Sequence, residues 1–323
     1  MDKLLEVKNL KLYYHTSKGA VRALDDVSFD LYKGETLGLV GESGCGKTTT
    51  GVALLKMPSP PGRIEPGSQI ILDGKDIMPM SEKEVRKNVR WEEVAMVFQG
   101  AMNCLTPVYT IGKQMLETLQ EHREMDKAQA EELIKEYLGL VGLPPEVMGR
   151  YPHELSGGMK QRIVIATALF LKPKLVILDE PTTALDVIVQ AQIINLLKKL
   201  KKTFDLSFIF ITHDLSLEAE ISDRICVMYA GKIAELGTNQ QIYGERGPMH
   251  PYTEKLLQAT PLLHRKVDSL SYIPGTPPDL IDPPKGCRFH PRCHKAIDKC
   301  SQEEPPLLEV EPGHMVACWR CGK

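Results

Sequence analysis

A chain of 323 residues can bury one large core and carry an appendage, and its 40 basic residues against 42 acidic ones leave a net charge of −2. That balance gives no electrostatic footprint for nucleic acid, and no run reaches the roughly 18 to 20 apolar residues needed to cross a bilayer. The opening Met1-Asp-Lys-Leu-Leu-Glu-Val-Lys-Asn lacks the uninterrupted apolar stretch of a signal peptide, so a cytosolic chain is expected and any membrane role must come through a partner.

Residues 4–12 and 27–31 alternate apolar with polar side chains and predict half-exposed strands. Thr36-Leu-Gly-Leu-Val40 predicts a buried strand that runs into Gly41-Glu-Ser-Gly-Cys-Gly-Lys47-Thr48. This loop fits the phosphate-binding pattern G-x-x-x-x-G-K-[ST], in which glycines let backbone N–H groups turn toward phosphate oxygens at the positive end of a helix. Gly41, Ser43, Gly44, Cys45 and Gly46 form the cradle, Lys47 is placed to reach the β and γ phosphates, and Thr48 to offer its hydroxyl to Mg²⁺. Thr49 opens the helix predicted over 49–56. Further strands are predicted at 69–72 and 94–98, with Asp73-Gly74 marking a hairpin-like turn.

From 111 to 171 the pattern is helical, and 127–140 is charged on one face and apolar on the other. Ser156 sits where an N-cap belongs, followed by Gly157, Gly158 and a helix predicted over 159–171, so a second helix start able to face an anion lies more than a hundred residues after the first. Leu175-Val-Ile-Leu178 and Phe208-Ile-Phe-Ile211 are short apolar runs of the kind found in covered parallel sheets, and 187–202 predicts the crossover helix between them. The first of these runs ends in Asp179-Glu180-Pro181. Ligands of open α/β sheets bind beyond the carboxyl ends of strands, so Asp179 is assigned to the Mg²⁺ shell and Glu180 to the attacking water. Gln99 and His213 follow two other strands in the same way and can contact γ-phosphate, Mg²⁺ or water. Beyond about residue 244 the composition shifts, prolines crowd 274–312, and no strong periodicity returns.

Eight cysteines are unevenly spread. Cys45, Cys104 and Cys226 are scattered and read as packing residues or inert thiols. Cys287, Cys293, Cys300 and Cys318 supply four thiolates near the end, with Cys321 a fifth through a C-x-x-C pair. Zinc favours two close cysteine pairs and only one exists here, whereas longer spacings suit a larger iron–sulfur cluster. Zn²⁺ stays the alternative, and a tail of reduced thiols the plain one.

Taken together, the phosphate loop at 41–48, Gln99, Leu155-Ser-Gly-Gly158, Asp179-Glu180, Ala184-Leu-Asp186 and His213 resemble the ordered motifs of the ATP-binding cassette (ABC) ATPases over residues 1 to about 245. The resemblance implies an α/β fold: a P-loop NTPase, RecA-like core with an N-terminal antiparallel β subdomain and a helical subdomain at about 100–172. It also implies that Ser156, Gly157 and Gly158 close over nucleotide held by a second subunit, with Asp186 in the D-loop. Gln99 then joins Thr48 at Mg²⁺, and Tyr14 is the candidate for stacking on adenine, with Tyr13 the alternative.

Closer resemblance is to the ATPase subunits of bacterial dipeptide, oligopeptide and nickel importers. It rests on Tyr151-Pro-His-Glu-Leu-Ser-Gly-Gly-Met-Lys-Gln-Arg162, Met249-His-Pro-Tyr-Thr253 and Ile273-Pro-Gly-Thr-Pro-Pro278. The Arg288-Phe-His-Pro-Arg-Cys293 stretch resembles a [4Fe-4S] site of that group, which makes 246–323 a cysteine-rich extension. The implied partners are a second cassette, heteromeric rather than identical, two transmembrane permease subunits and, indirectly, an extracytoplasmic solute-binding protein, with no nucleic acid. The implied place is the cytoplasmic face of the membrane. Gly100-Ala-Met-Asn-Cys-Leu-Thr-Pro107 departs from the acidic residue and Ser-Leu-Asn-Pro usual after the glutamine. A soluble ABC ATPase of repair or translation is the rival reading.

Overall fold

The structure, a computed structural model, describes residues 2–259 and 272–321; residues 260–271 of the expected extension lie outside the described residues. It divides into two compact units, Met1–Val85 with Ile209–Lys323, and Arg86–Phe208.

The first unit opens with two long antiparallel strands, β1 (Lys3–Thr16) and β2 (Gly19–Tyr32). Both exceed the alternating stretches expected from sequence. The register shifts several times along the pair, and the residues near the turn are partly exposed, so their apolar alternation fades although the ladder continues from Leu5↔Leu31 to Thr16↔Gly19. Strand β3 (Thr36–Val40) is buried along its whole length and feeds α1 (Lys47–Leu54). That helix starts two residues before the predicted Thr49 because Gly46 takes the N-cap place. Strands β4 (Gly62–Ile64) and β5 (Gln69–Leu72) pair with β1. Strand β6 (Lys75–Asp76) folds back on β5 through Asp73 and Gly74, whose φ angles of 45° and 79° make the tight turn that this dipeptide favours.

After α2 (Glu82–Asn88), the second unit holds β7 (Val94–Val97), α3 (Ile111–His122), α4 (Lys127–Leu140), α5 (Gly157–Ala168), β8 (Leu175–Asp179) and α6 (Val187–Phe204). β7 and β8 are parallel, Val94 opposite Leu175 and Val97 opposite Leu178. Tyr137 of α4 packs its buried ring between Phe170 and Phe204, with centroids 5.3 and 6.0 Å away. Two aromatic pairs of this kind add about 0.5–1.5 kcal/mol each to the burial itself. Helix α5 ends at Ala168, short of the predicted Leu171: the apolar run continues to Leu171, but as turns before Lys172, at φ 53°, redirects the chain into β8. Helix α6 stops where Asp205 adopts φ 52°.

Strand β9 (Ser207–Ile211) returns the chain to the first unit, which continues with α7 (Leu215–Ile221), β10 (Arg224–Tyr229), β11 (Lys232–Thr238) and α8 (Asn239–Tyr243). The tail then supplies α9 (Pro251–Gln258), α10 (Asp298–Gln302), β12 (Leu308–Glu311) and β13 (His314–Val316). β10 lies parallel to β3 and antiparallel to β11, and β11 carries β13 and then β12 on its other edge. The expected loss of periodicity after residue 244 therefore reflects elements too short to show a period, not a lack of structure.

The tail is anchored by packing. Tyr252 and Phe289 are fully buried with Tyr229, at centroid distances between 4.6 and 5.3 Å. Each aromatic buried in this way contributes about 1.5–3 kcal/mol. Glu235, buried in β11, accepts from the Met249 N–H at 2.7 Å, the His250 N–H at 3.1 Å and, across the sheet, pairs with His314 Nε2 at 2.8 Å. Among the described residues no helix is long and apolar enough to cross a membrane.

Candidate active site

In the first unit β3 delivers the chain into the phosphate loop. Gly41 and Gly46 have φ of 144° and 110°, and a Cβ there would stand 2.2 Å from the Met228 carbonyl oxygen and 2.7 Å from that of Ala23. Both conformation and space thus demand glycine. Gly46 at the N-cap of α1 has no side chain to offer the helix's first N–H groups. Lys47 is buried and donates to the carbonyls of Gly41 and Glu42 at 2.7 and 3.1 Å, bracing the loop from within. Ser43, Gly44 and Thr48 are exposed, Thr49 half-buried, and Cys45 buried, where desolvation raises its thiol pKa above the usual value.

His213 follows β9 and is exposed, while the next residue, Asp214, caps α7 by accepting from the N–H groups of Ser216 and Leu217 at 2.8 and 3.2 Å. The two tyrosines of β1 part ways. Tyr13 donates to Asp25 at 2.6 Å, and burial, helped by that carboxylate, pushes its hydroxyl up to about 12. Tyr14 lays its ring over Gly62, where a Cβ would stand 2.8 Å from it, and stays half-buried.

In the second unit β8 ends in buried Asp179, and Glu180 follows in the left-handed region at φ 48°. A non-glycine residue held there is strained by about 1–3 kcal/mol and marks a position fixed by its surroundings. Gln99 Nε2 and Thr183 Oγ1 both donate to Glu180 Oε2, at 2.9 and 2.8 Å. Gln99 and Glu180, separated by 81 positions, are thus brought together, a contact the sequence reading did not state. Thr183 is an addition that sequence reasoning missed; its signal was its position three residues beyond the carboxylate. Ser156 is exposed and accepts from the Met159 N–H at 3.3 Å, the predicted cap. Gly157 and Gly158 leave room for neighbours: added Cβ atoms would come within 3.2 Å of Leu185 and 2.7 Å of Val189. Asp186 caps α6 through the Val189 N–H at 3.0 Å. The glycines of the signature therefore pack on the segment that carries Asp186.

Thr48 offers a hydroxyl in the first unit, and Gln99 and Asp179 offer an amide and a carboxylate oxygen in the second; each is an oxygen donor of the kind a hard divalent cation takes. The tail offers a different chemistry. Cys287, Cys293, Cys300 and Cys318 all line one small cavity under Phe289 and Trp319, whereas Cys321 turns its thiol to the Met249 carbonyl oxygen at 3.3 Å. Desolvation pushes the Cys287 thiol up to about 12 and also raises that of Cys293, while a hydrogen bond with Cys321 holds Cys318 below the usual thiol value. Among the described residues no three His, Cys, Asp or Glu side chains gather closely enough to hold a single ion. Of the scattered cysteines, Cys45 and Cys226 are buried, but Cys104 is exposed, so a packing role does not extend to it.

Comparisons with known proteins give the family. A family model described as ABC transporter matches residues 24–183, and one described as the oligopeptide/dipeptide transporter C-terminal region matches 234–300. The oligopeptide transport ATP-binding protein OppD of Bacillus subtilis (strain 168) is 49% identical over 323 residues, covering 99% of this chain and 89% of that protein. The dipeptide transport ATP-binding protein DppD of the same organism is 44% identical over 99% of this chain and 95% of its own length. Among solved structures, the dimeric post-hydrolysis cassette MJ0796 bound to ADP and Pi matches with a TM-score of 0.65 and 25% identity, over 74% of this chain and all of that one. The chain belongs to the ABC transporter ATPases, in the group that carries the oligopeptide/dipeptide transporter C-terminal region.

Proposed function

We propose that this chain is the ATP-hydrolysing subunit of a di- or oligopeptide importer. The observation that carries the reading is the Glu180 carboxylate, held at the end of β8 in a strained conformation by Gln99 and Thr183. A carboxylate fixed in this way can orient a water and accept its proton as the γ-phosphoryl group leaves. Lys47 and the N–H groups of 41–48 neutralise the phosphates, and His213 senses the γ-phosphate from the end of β9. Thr48, Gln99 and Asp179 are the residues that would hold Mg²⁺, which would supply positive charge against the phosphates. Tyr14 stacks on adenine, since the hydroxyl of Tyr13 is committed to Asp25.

The signature helix start at Ser156 is exposed, and beside it the first turn of α6 shows Val187 and Ile188 at 79% and 72% exposure. Apolar side chains so exposed next to an anion-binding helix end suit a surface that a second cassette covers. In this reading Ser156, Gly157, Gly158 and Asp186 serve nucleotide on a partner cassette, a paralogue rather than a copy, and closure of the pair drives two permease subunits at the cytoplasmic face of the membrane. Residues 1–245 form the nucleotide-binding domain, with its helical subdomain at about 100–172, and 246–323 the extension. Four cysteines lining one cavity, with sequence spacings longer than zinc's paired cysteines, support a [4Fe-4S] group, with zinc the alternative.

The test is reconstitution in vesicles with the permease and the solute-binding protein. ATP hydrolysis stimulated by peptide, with peptide accumulating inside, is the expected result; hydrolysis indifferent to every peptide would sink the import reading. Iron, sulfide and zinc analysis after anaerobic purification tests the tail, and stoichiometric zinc without sulfide would exclude the cluster.

A further inference from the structure

Glu42, the first variable residue of the phosphate loop, is gripped from the tail. Arg292 donates from both terminal nitrogens to the two oxygens of Glu42, at 2.7 and 2.9 Å, a planar fork on a carboxylate. The same guanidinium donates to the Tyr229 hydroxyl at 3.1 Å and, through Nε, to the Pro274 carbonyl at 2.8 Å, so the arginine is itself fixed and its side chain is 5% exposed. The backbone N–H of Glu42 donates to the hydroxyl of buried Tyr252 at 2.9 Å. One residue of the loop is therefore held at side chain and main chain by groups more than 200 positions downstream.

We infer that Arg292 and Tyr252 are positioning residues for nucleotide: the tail holds the phosphate loop in its binding shape and thereby sets ATP affinity. A loop already ordered loses less freedom when its N–H groups close on phosphate, so binding is tighter. Linkage makes the effect reciprocal, and nucleotide must stabilise the tail by the factor with which the tail favours nucleotide. Arg292 lies between Cys287 and Cys293, so whatever orders that segment also orders the grip. The inference rests on the nucleotide site proposed above.

The experiment titrates a fluorescent ATP analogue with Mg²⁺ onto the full chain. Arg292→Ala and Glu42→Ala should each weaken binding roughly tenfold, and the double variant should be no weaker than either single one. Arg292→Lys should recover only part of the affinity, because an ammonium cannot form the fork. In the assembled transporter KM for ATP should rise about tenfold with kcat changed less than about twofold. Hydrogen exchange should show the amides of 287–293 better protected with nucleotide, a change that Glu42→Ala abolishes and that a merely structural arginine would not give. Should Arg292→Ala fail to fold, Glu42→Ala and Glu42→Gln remove the same pair from its more exposed side. Normal binding by the Glu42 variants beside loss in Lys47→Ala would overturn the clamp and leave the site standing, as would additive losses in the double variant. Normal binding by Lys47→Ala would remove the site itself and the inference with it.

Discussion

The two helix starts that face anions are built on opposite plans. At α5 the cap is internal: Ser156 supplies its own side-chain oxygen to the Met159 N–H, and the motif sits exposed, complete before anything binds. At α1 the cap residue is Gly46, which has no side chain to serve as a cap, and the loop is braced by Lys47, Arg292 and Tyr252. A self-capped start can be presented to another molecule as a rigid surface. An uncapped one must be held in shape by groups brought from elsewhere, and it keeps its N–H groups for a ligand.

Four substitutions break or sharpen this contrast. The largest effect is expected from Glu180→Gln, which should leave ATP binding intact and slow hydrolysis by roughly 10² to 10⁴-fold, with the closed pair accumulating in size-exclusion runs with ATP. Normal turnover would reassign the carboxylate. Next, Lys47→Ala removes a charged donor and should weaken the affinity of the uncapped start for nucleotide by about 30 to 100-fold in equilibrium titration.

Behind the same loop, Glu218 of α7 is buried so close to Gly38 of β3 that a Cβ on the glycine would overlap it, and burial lifts the carboxyl from 4.5 to about 8. The unfolded chain loses that proton near 4.5 and the folded chain near 8, so stability falls as pH rises through this window and is level above it. Glu218→Gln removes the titration. Its melting temperature should pull ahead of the parent's by roughly 3 to 8 °C between pH 5 and pH 8; a gap that ignores pH would show the carboxyl ionised throughout. The smallest effect belongs to Ser156→Ala, which removes a self-made cap worth about 1 kcal/mol and should lower the melting temperature of the isolated chain by about 2 to 4 °C.

What could be read from sequence was whatever depends on neighbours along the chain. The buried run before Gly41, the Asp73-Gly74 turn, the Ser156 cap and the helix after Asp186 follow from local pattern and appear in place. The family resemblance singled out Gln99 and Glu180 separately, but their hydrogen bond was illegible, since neither residue alone signals the other. Arg292 on Glu42 was illegible, for 250 positions separate them and one arginine beside cysteines reads as charge balance. The tail hid its order for a physical reason: α9 has eight residues and β13 three, less than the length over which a period can be seen.

Glu235 carries one more consequence. A single buried carboxylate takes donors from the start of α9 and from His314 of β13, so neither segment can peel away without stranding charge that the other still encloses. The two ends of the tail should therefore detach together, and limited proteolysis should remove the whole appendage in one step or leave it whole, with no fragment that keeps α9 and has lost β13.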